Sequence, residues 1–367
     1  MTRCDQCHER EAVVHLTQIA QDQNKPRTTE IDMFVQDDWK VSRKLTLNLG
    51  MRWDPFFPFS DALATFSQVR LGQKSTVFPT APAGIVFVGD SGVPNATVRN
   101  SLGNLGPRFG FAVDPFGAGK TSIRGGYGLF YSQVRQQANN QISNNQPFSI
   151  KLIMNNPTGG LENPYSESGN PFPFTPPQSA QEKAAYKFLT PMTTTEWNPD
   201  FRNAIVQQWN FTLQQQFFGS YIASAAYVGS KGNHLFIQNE LNPGIYAPGN
   251  RPLDQRRPLY PAFASITDYA SFGNSIYHSL QLSLNKRLSK GLTVLANYTF
   301  AKLIDDGSGD GAGSSDPFNR KNQRGPSDFD ITHRFIGSYI WQLPKLQGQH
   351  PLLRHVVGSW ETNGLVT

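Results

Sequence analysis

Few side chains in this 367-residue sequence are spaced for chemistry. The sharpest pattern is Cys4-x-x-Cys7, with His8 and His15 close behind. Two thiolates at that spacing form half of a zinc knuckle, and His15 would add a third ligand. A structural zinc takes four ligands, and these are the only 2 cysteines. The stretch therefore reads as a truncated half-site that holds no metal stably. The alternative is a small zinc site on Cys4, Cys7 and His15. A second group, Asp305, Asp306, Asp310, Asp316 and Asp328, offers carboxylate oxygens of the kind calcium takes. Its spacing fits no EF-hand, and its Gly/Ser-rich setting reads as a solvated loop. Gly125, Gly126 and Gly128 suggest a nucleotide loop, but no helix follows them. Glycine at a strand bend accounts for them better. No nucleophile elbow, HExxH or close carboxylate pair stands out, which argues against a secreted hydrolase.

The elements around these residues are far more regular than the residues themselves. From Tyr277 to Ala301 apolar and polar side chains alternate on both sides of a turn at Leu288–Gly291. Leu280, Leu282 and Leu284 share one face, and Ser279, Gln281, Ser283 and Asn285 the other. After the turn, Leu292, Val294, Ala296, Tyr298 and Phe300 continue the apolar face. A period of two means strands. An uncharged polar face opposite an apolar one suits a wall between water and lipid.

Composition agrees. Only 38% of residues are hydrophobic, mean hydropathy is -0.44, and no run reaches the ~18 apolar residues of a spanning helix. Charged residues make up 16%, against ~25% in ordinary soluble domains. The net charge is +6, but Lys and Arg are scattered at strand ends and in loops. No basic stripe forms, so nucleic acid is not an expected partner.

The same unit recurs along the chain. Strands are predicted over 31–41, 45–53, 107–114, 120–131, 203–217, 221–229, 276–287, 292–301, 330–343 and 358–367, with a short one at 84–88. Links alternate strictly. Short ones fall at 42–44, 115–119, 218–220, 288–291 and 344–356, and long ones at 55–106, 132–200, 230–274 and 304–329. The loop 132–200 holds one helical patch at 179–189. This alternation predicts an all-β, antiparallel transmembrane β-barrel in part: about ten strands in five hairpins, with short periplasmic turns and long outer loops. Trp39, Trp53, Trp209, Tyr298 and Trp341 fall where membrane-interface aromatics sit. Phe172, Phe174, Tyr246 and Tyr260 are loop rings able to stack on a sugar or peptide.

Residues 1–20 differ in character, and 21–30 form a polar joint, so the barrel region is expected from 31 to 367. The segment with Cys4, Cys7 and Glu11–Ile19 resembles the zinc segment of bacterial protein-arginine kinase activators. From residue 30 onward the chain resembles TonB-dependent outer-membrane receptors, in particular their Oar-like group. The matching phrases are Phe34–Val41, Leu45–Asp54, Pro107–Ala112, Ile123–Gly128, Tyr298–Lys302 and Ser327–Phe335. The resemblance implies a receptor that takes up a bulky nutrient ligand, with outer-membrane lipid and the TonB system as partners and no resident cofactor. The alternative function is a zinc-binding regulatory module acting through the CxxC, with the β region as a structural or secreted binding domain. Such receptors close with ~22 strands and carry an export signal, a TonB box and a plug. None of these three is evident here, so the sequence predicts a fragment of a larger barrel.

Overall fold

The computed structural model describes residues 15–21, 25–96, 98–132, 142, 144–155, 157–166, 169–309, 312–313, 316–343 and 360–367. Ten strands form a wall: β1 (Met33–Lys40), β2 (Leu45–Trp53), β3 (Leu105–Val113), β4 (Thr121–Ser132) and β5 (Ala204–Phe217). They continue with β6 (Tyr221–Glu240), β7 (Phe263–Ser289), β8 (Leu292–Asp305), β9 (His333–Gln342) and β10 (Glu361–Val366). Each pairs antiparallel with its neighbour in sequence, with no crossover. Met192–Trp197 runs parallel beside the start of β7, and Gly325–Pro326 lies beside β8, making a 12-stranded sheet.

Register turns the sequence period into two continuous faces. Leu282 pairs with Ala225 on one side and Tyr298 on the other. Tyr298 pairs in turn with Phe335, and Ala225 with Leu213. Directly opposed residues share a face, so the leucines predicted to lie together form one stripe across β5 to β9. Leu47, Phe111 and Gly125 extend it toward β1.

The structure corrects two expectations. β6 and β7 run well past 229 and 276, so the loop predicted at 230–274 shrinks to 241–262. Two register shifts, between Gly232 and Leu235 and between Leu235 and Ile237, break the alternation there and hide the strand. The span 132–200 is not merely a loop with a helical patch. It holds Ser149–Asn155, Met192–Trp197 and a short helix α1 (Ala180–Ala185). Ser179 and Glu182 form a capping box that starts α1. Gly125, Gly126 and Gly128 lie within β4, which keeps a regular register with both neighbours and is followed by no helix among the described residues up to Ser132. A side chain at Gly125 would strike the ring of Phe111.

β7 has 27 residues, more than twice the ~9–11 a tilted membrane strand needs. Its first part, Phe263–Gly273, projects beyond the wall into a cap built by the long connections. Both clusters of buried apolar side chains lie there. One joins Phe78, Ile85, Phe87, Phe148, Met192 and Phe263, and the other joins Phe56, Phe66, Trp197, Phe201 and Tyr269. The strand His15–Gln21 also belongs to the cap side, paired along Ser149–Asn155.

Gly229 faces Trp209 across the β5–β6 pair, and a Cβ there would stand 2.3 Å from the indole. Gly229→Val is expected to push the ring off the sheet and cost ~1–3 kcal/mol. Unfolding in micelles with Trp fluorescence as the readout checks this. Ala225→Val, on the same face over an open groove lined by Leu213 and Leu282, is expected to change little.

Candidate functional site

Three regions of the structure have distinct chemistry: the apolar face, the polar face and the cap. The apolar face leaves Trp39, Leu49, Met51, Phe109, Phe211, Leu282, Phe300, Phe335 and Trp341 exposed. A contiguous exposed patch on this scale is incompatible with water and fits a lipid contact. Its polar exceptions sit at the ends. Near the short turns, the Lys286 ammonium donates to the carbonyls of Ser289 and Leu292 at 2.8 and 2.6 Å. The stem lies along the sheet and the charge reaches the turn. Toward the long-loop end, Tyr227 and His278 share a hydrogen bond of 2.7 Å, and Tyr298 and His333 one of 2.8 Å. The Tyr127 hydroxyl donates to Gln207.

Of the five predicted interface aromatics, Trp39 and Trp341 stand at the short-turn end, paired with Leu47 and Leu292. Trp53 stands at the long-loop end, where its indole N–H donates to the Leu102 carbonyl at 2.7 Å. Trp209 and Tyr298 lie between, each beside a histidine ring.

The opposite face is rich in amides and guanidiniums. Arg52, Arg108, Arg124 and Arg334 all have polar-face parity. Arg124 donates to Gln214 at 2.9 Å, Arg108 lies over the Phe130 ring, and Arg52 bridges Asp32 and Asp54. Asn48 Nδ2 donates to Asp38 at 2.5 Å. Arg52 and Arg334 stand at strand ends, as the sequence suggests, but Arg108 and Arg124 lie inside β3 and β4 rather than at an end or in a loop.

The cap is held by buried carboxylates that the sequence did not single out. Asp90 accepts from the Ser75 hydroxyl and from the backbone N–H groups of Thr76, Val77 and Phe87, at 2.6 to 3.0 Å. Burial opposes its charge, yet these donors outweigh burial and hold its pKa at about 2. Glu196 is the reverse case. Burial pushes its pKa up to about 8, and nearby Asp268 adds to that. Among the described residues only the Val69 N–H donates to it, at 2.6 Å. A carboxyl on Glu196 is therefore largely neutral at pH 7.

Cys4 and Cys7 lie outside the described residues. His15 opens a strand opposite Asn155. No finding supports a zinc module. Asp310 is also outside the described residues. Asp305, Asp306 and Asp316 are spent on local partners: Ser308, Arg324 and the N–H groups of Phe318 and Asn319. Among the described residues no three His, Cys, Asp or Glu side chains gather to hold a metal. Of the loop rings, Phe172 and Phe174 are half-buried, Phe172 lying near Tyr165. Tyr260 is partly exposed, and Tyr246 is 85% exposed.

A consecutively paired antiparallel wall, apolar on one face and polar on the other, defines the architecture of an outer-membrane β-barrel, here in part. The chain matches the outer membrane beta barrel domain family over residues 13–367 and belongs to it, which places it in the outer membrane. It is 28% identical over 124 residues to the TonB-dependent transporter Oar of Myxococcus xanthus, an alignment covering 34% of this chain and 8% of that protein. Among solved structures it is similar to the outer membrane transporter YddB from Escherichia coli (15% identity, TM-score 0.47, 84% of this chain and 30% of that one). It is also similar to the FrpB iron transporter from Neisseria meningitidis (11% identity, TM-score 0.42, 88% and 32%). The chain thus spans under a third of those structures and a small part of the curated relative.

The raised pKa of Glu196 sets a pH dependence for the cap. The folded state holds a proton that the unfolded chain releases near its ordinary value of 4.5. Cap stability should therefore fall as pH rises from 4.5 through about 8, because over that range the unfolded chain gives up a proton that the folded state has to keep. Hydrogen exchange of the Ser67–Val69 amides across that range checks this, and Glu196→Gln is expected to flatten the profile.

Proposed function

We propose that the chain forms part of an outer-membrane receptor that takes up a bulky ligand with energy relayed by the TonB system. The observation that carries this reading is the wall itself. Ten strands pair in sequence order, short turns lie at one end, and a folded cap lies at the other. Nothing in that plan calls for a catalytic group, and the reading is of a transport protein rather than an enzyme.

In this reading the cap faces outward and meets the ligand first, with Tyr246 as its most available ring. The polar face lines a lumen, and Arg52, Arg108, Arg124 and Arg334 favour a ligand with anionic groups. Trp39 and Trp341 mark the periplasmic interface, and Trp53, Trp209 and Tyr298 the outer half of the lipid band. The division into residues 1–20, the joint at 21–30 and a barrel region from 31 is kept, with His15–Gln21 packed on the cap. Edges β1 and β10 need partner strands, since unpaired backbone groups in lipid cost several kcal/mol each.

Expressed behind an export signal, the full chain is expected in the outer-membrane fraction. Leu282→Arg should cost ~2–4 kcal/mol near the bilayer midplane, while Ser283→Arg on the polar face should be tolerated. A soluble monodisperse monomer, or equal effects of the two variants, would contradict the proposal.

A further inference from the structure

The cap holds two carboxyl groups side by side that the transport reading does not use. The strand Met192–Trp197 runs parallel to β7, and Glu196 is the register partner of Asp268. Register partners point to the same side of a sheet, on backbones ~4.8 Å apart. Glu196 is 4% exposed and Asp268 1%. Two acidic side chains are therefore buried together across one strand seam.

No cation is set against them. Among the described residues neither carboxyl forms an ion pair. Asp268 accepts from the Asn198 amide at 3.1 Å, while its Oδ1 has no donor. The charged groups around the pair are engaged elsewhere. Arg70, next to Ser67–Val69, donates to Gln68 and to the Gly92 carbonyl. Arg320, from the turn Arg320–Gln323, lies over the Phe272 ring. On β6, the uncharged Asn239 stands opposite Asp268, and Glu240 pairs with Arg257. Burial raises the pKa of Asp268 as it does that of Glu196, against the Asn198 bond and the distant pull of Arg320.

The strand that carries Glu196 is a strut of the cap. Met192 belongs to one buried cluster and Trp197 to the other. The strand is tied to β7 at both ends: the Met192 N–H donates to the Ala262 carbonyl at 2.9 Å, and the Asn198 N–H to the Tyr269 carbonyl at 3.0 Å. We propose that Glu196 and Asp268 form a proton-operated latch that holds the strand Met192–Trp197 on β7. With a proton on the pair, the strand stays docked and joins the two clusters. With both groups ionised, like charges face each other in a buried seam without a cation, and release of the strand hydrates both. The repulsion across the seam, added to burial, sets the pH at which the strand leaves.

The test uses the full chain folded in detergent micelles. Hydrogen exchange of Met192–Trp197 is followed from about pH 5 to about pH 9 and corrected for the intrinsic pH dependence of amide exchange. Opening releases a proton that the closed pair keeps. The opening constant is therefore expected to rise about tenfold per pH unit and to level off above about 8. Residues 294–300 in β8 should show no such rise, which separates the latch from unfolding of the wall. Glu196→Gln is expected to remove most of the rise. Asp268→Asn, or Asp268→Ser where the first does not fold, is expected to move the levelling point below about 8, because the facing charge is gone. An opening constant independent of pH, or a rise that β8 shares, would overturn the latch. An unchanged levelling point without the Asp268 carboxyl would assign the effect to burial of Glu196 alone and overturn the pair.

Discussion

Everything in this structure depends on where backbone hydrogen bonds go when no water is available. In hydrocarbon an unpaired N–H or C=O costs several kcal/mol, so a strand survives only beside another strand. Consecutive pairing from β1 to β10 meets that demand with short turns, because an antiparallel neighbour can be reached through a few residues. The long connections are free of the constraint and can grow. That asymmetry is why one end of the wall is trimmed to turns and the other carries a cap. β1 and β10 lie at the ends of the pairing order, so they present the same demand to whatever lies beside them.

The wall and the cap are stabilised differently. Lipid is about as apolar as leucine, so the exposed leucines and phenylalanines of the wall gain little from meeting one another. Ladder hydrogen bonds and close ring contacts, such as Phe111 over Gly125 and Trp209 over Gly229, set its geometry. The cap lies in water and needs a core of its own. It has one in the Phe78–Phe87 and Trp197–Tyr269 clusters. Its irregular backbone is then tied down by the carboxylates of Asp90 and Asp61, each accepting from several N–H groups. A neutral Glu196 and a charged Asp90 sit in one cap because one has a single backbone donor and the other has three.

The wall was legible in the sequence because period two is a strong signal when neither face is interrupted. Strands such as Leu45–Trp53 and Leu292–Asp305 therefore declare themselves. The upper parts of β6 and β7 did not, since bulges around Leu235 shift the alternation out of phase. The short strand expected at 84–88 is present as Ile85–Phe87, but its partner Ser67–Val69 is too short to show any period. The glycines of β4 were legible as strand residues, but the Phe111 ring that leaves Gly125 no room for a side chain leaves no trace in local sequence.

The account's central claim is that the Leu280–Leu284 stripe meets lipid while the residues between its leucines meet water. Single cysteines placed in turn at 280 to 284, spin-labelled in lipid vesicles, give a direct reading. Oxygen concentrates in hydrocarbon, and a nickel chelate stays in water. Oxygen should broaden the signals at 280, 282 and 284, and the chelate those at 281 and 283, alternating residue by residue. A uniform response along the five positions, or chelate access to the leucine sites, would contradict the membrane wall.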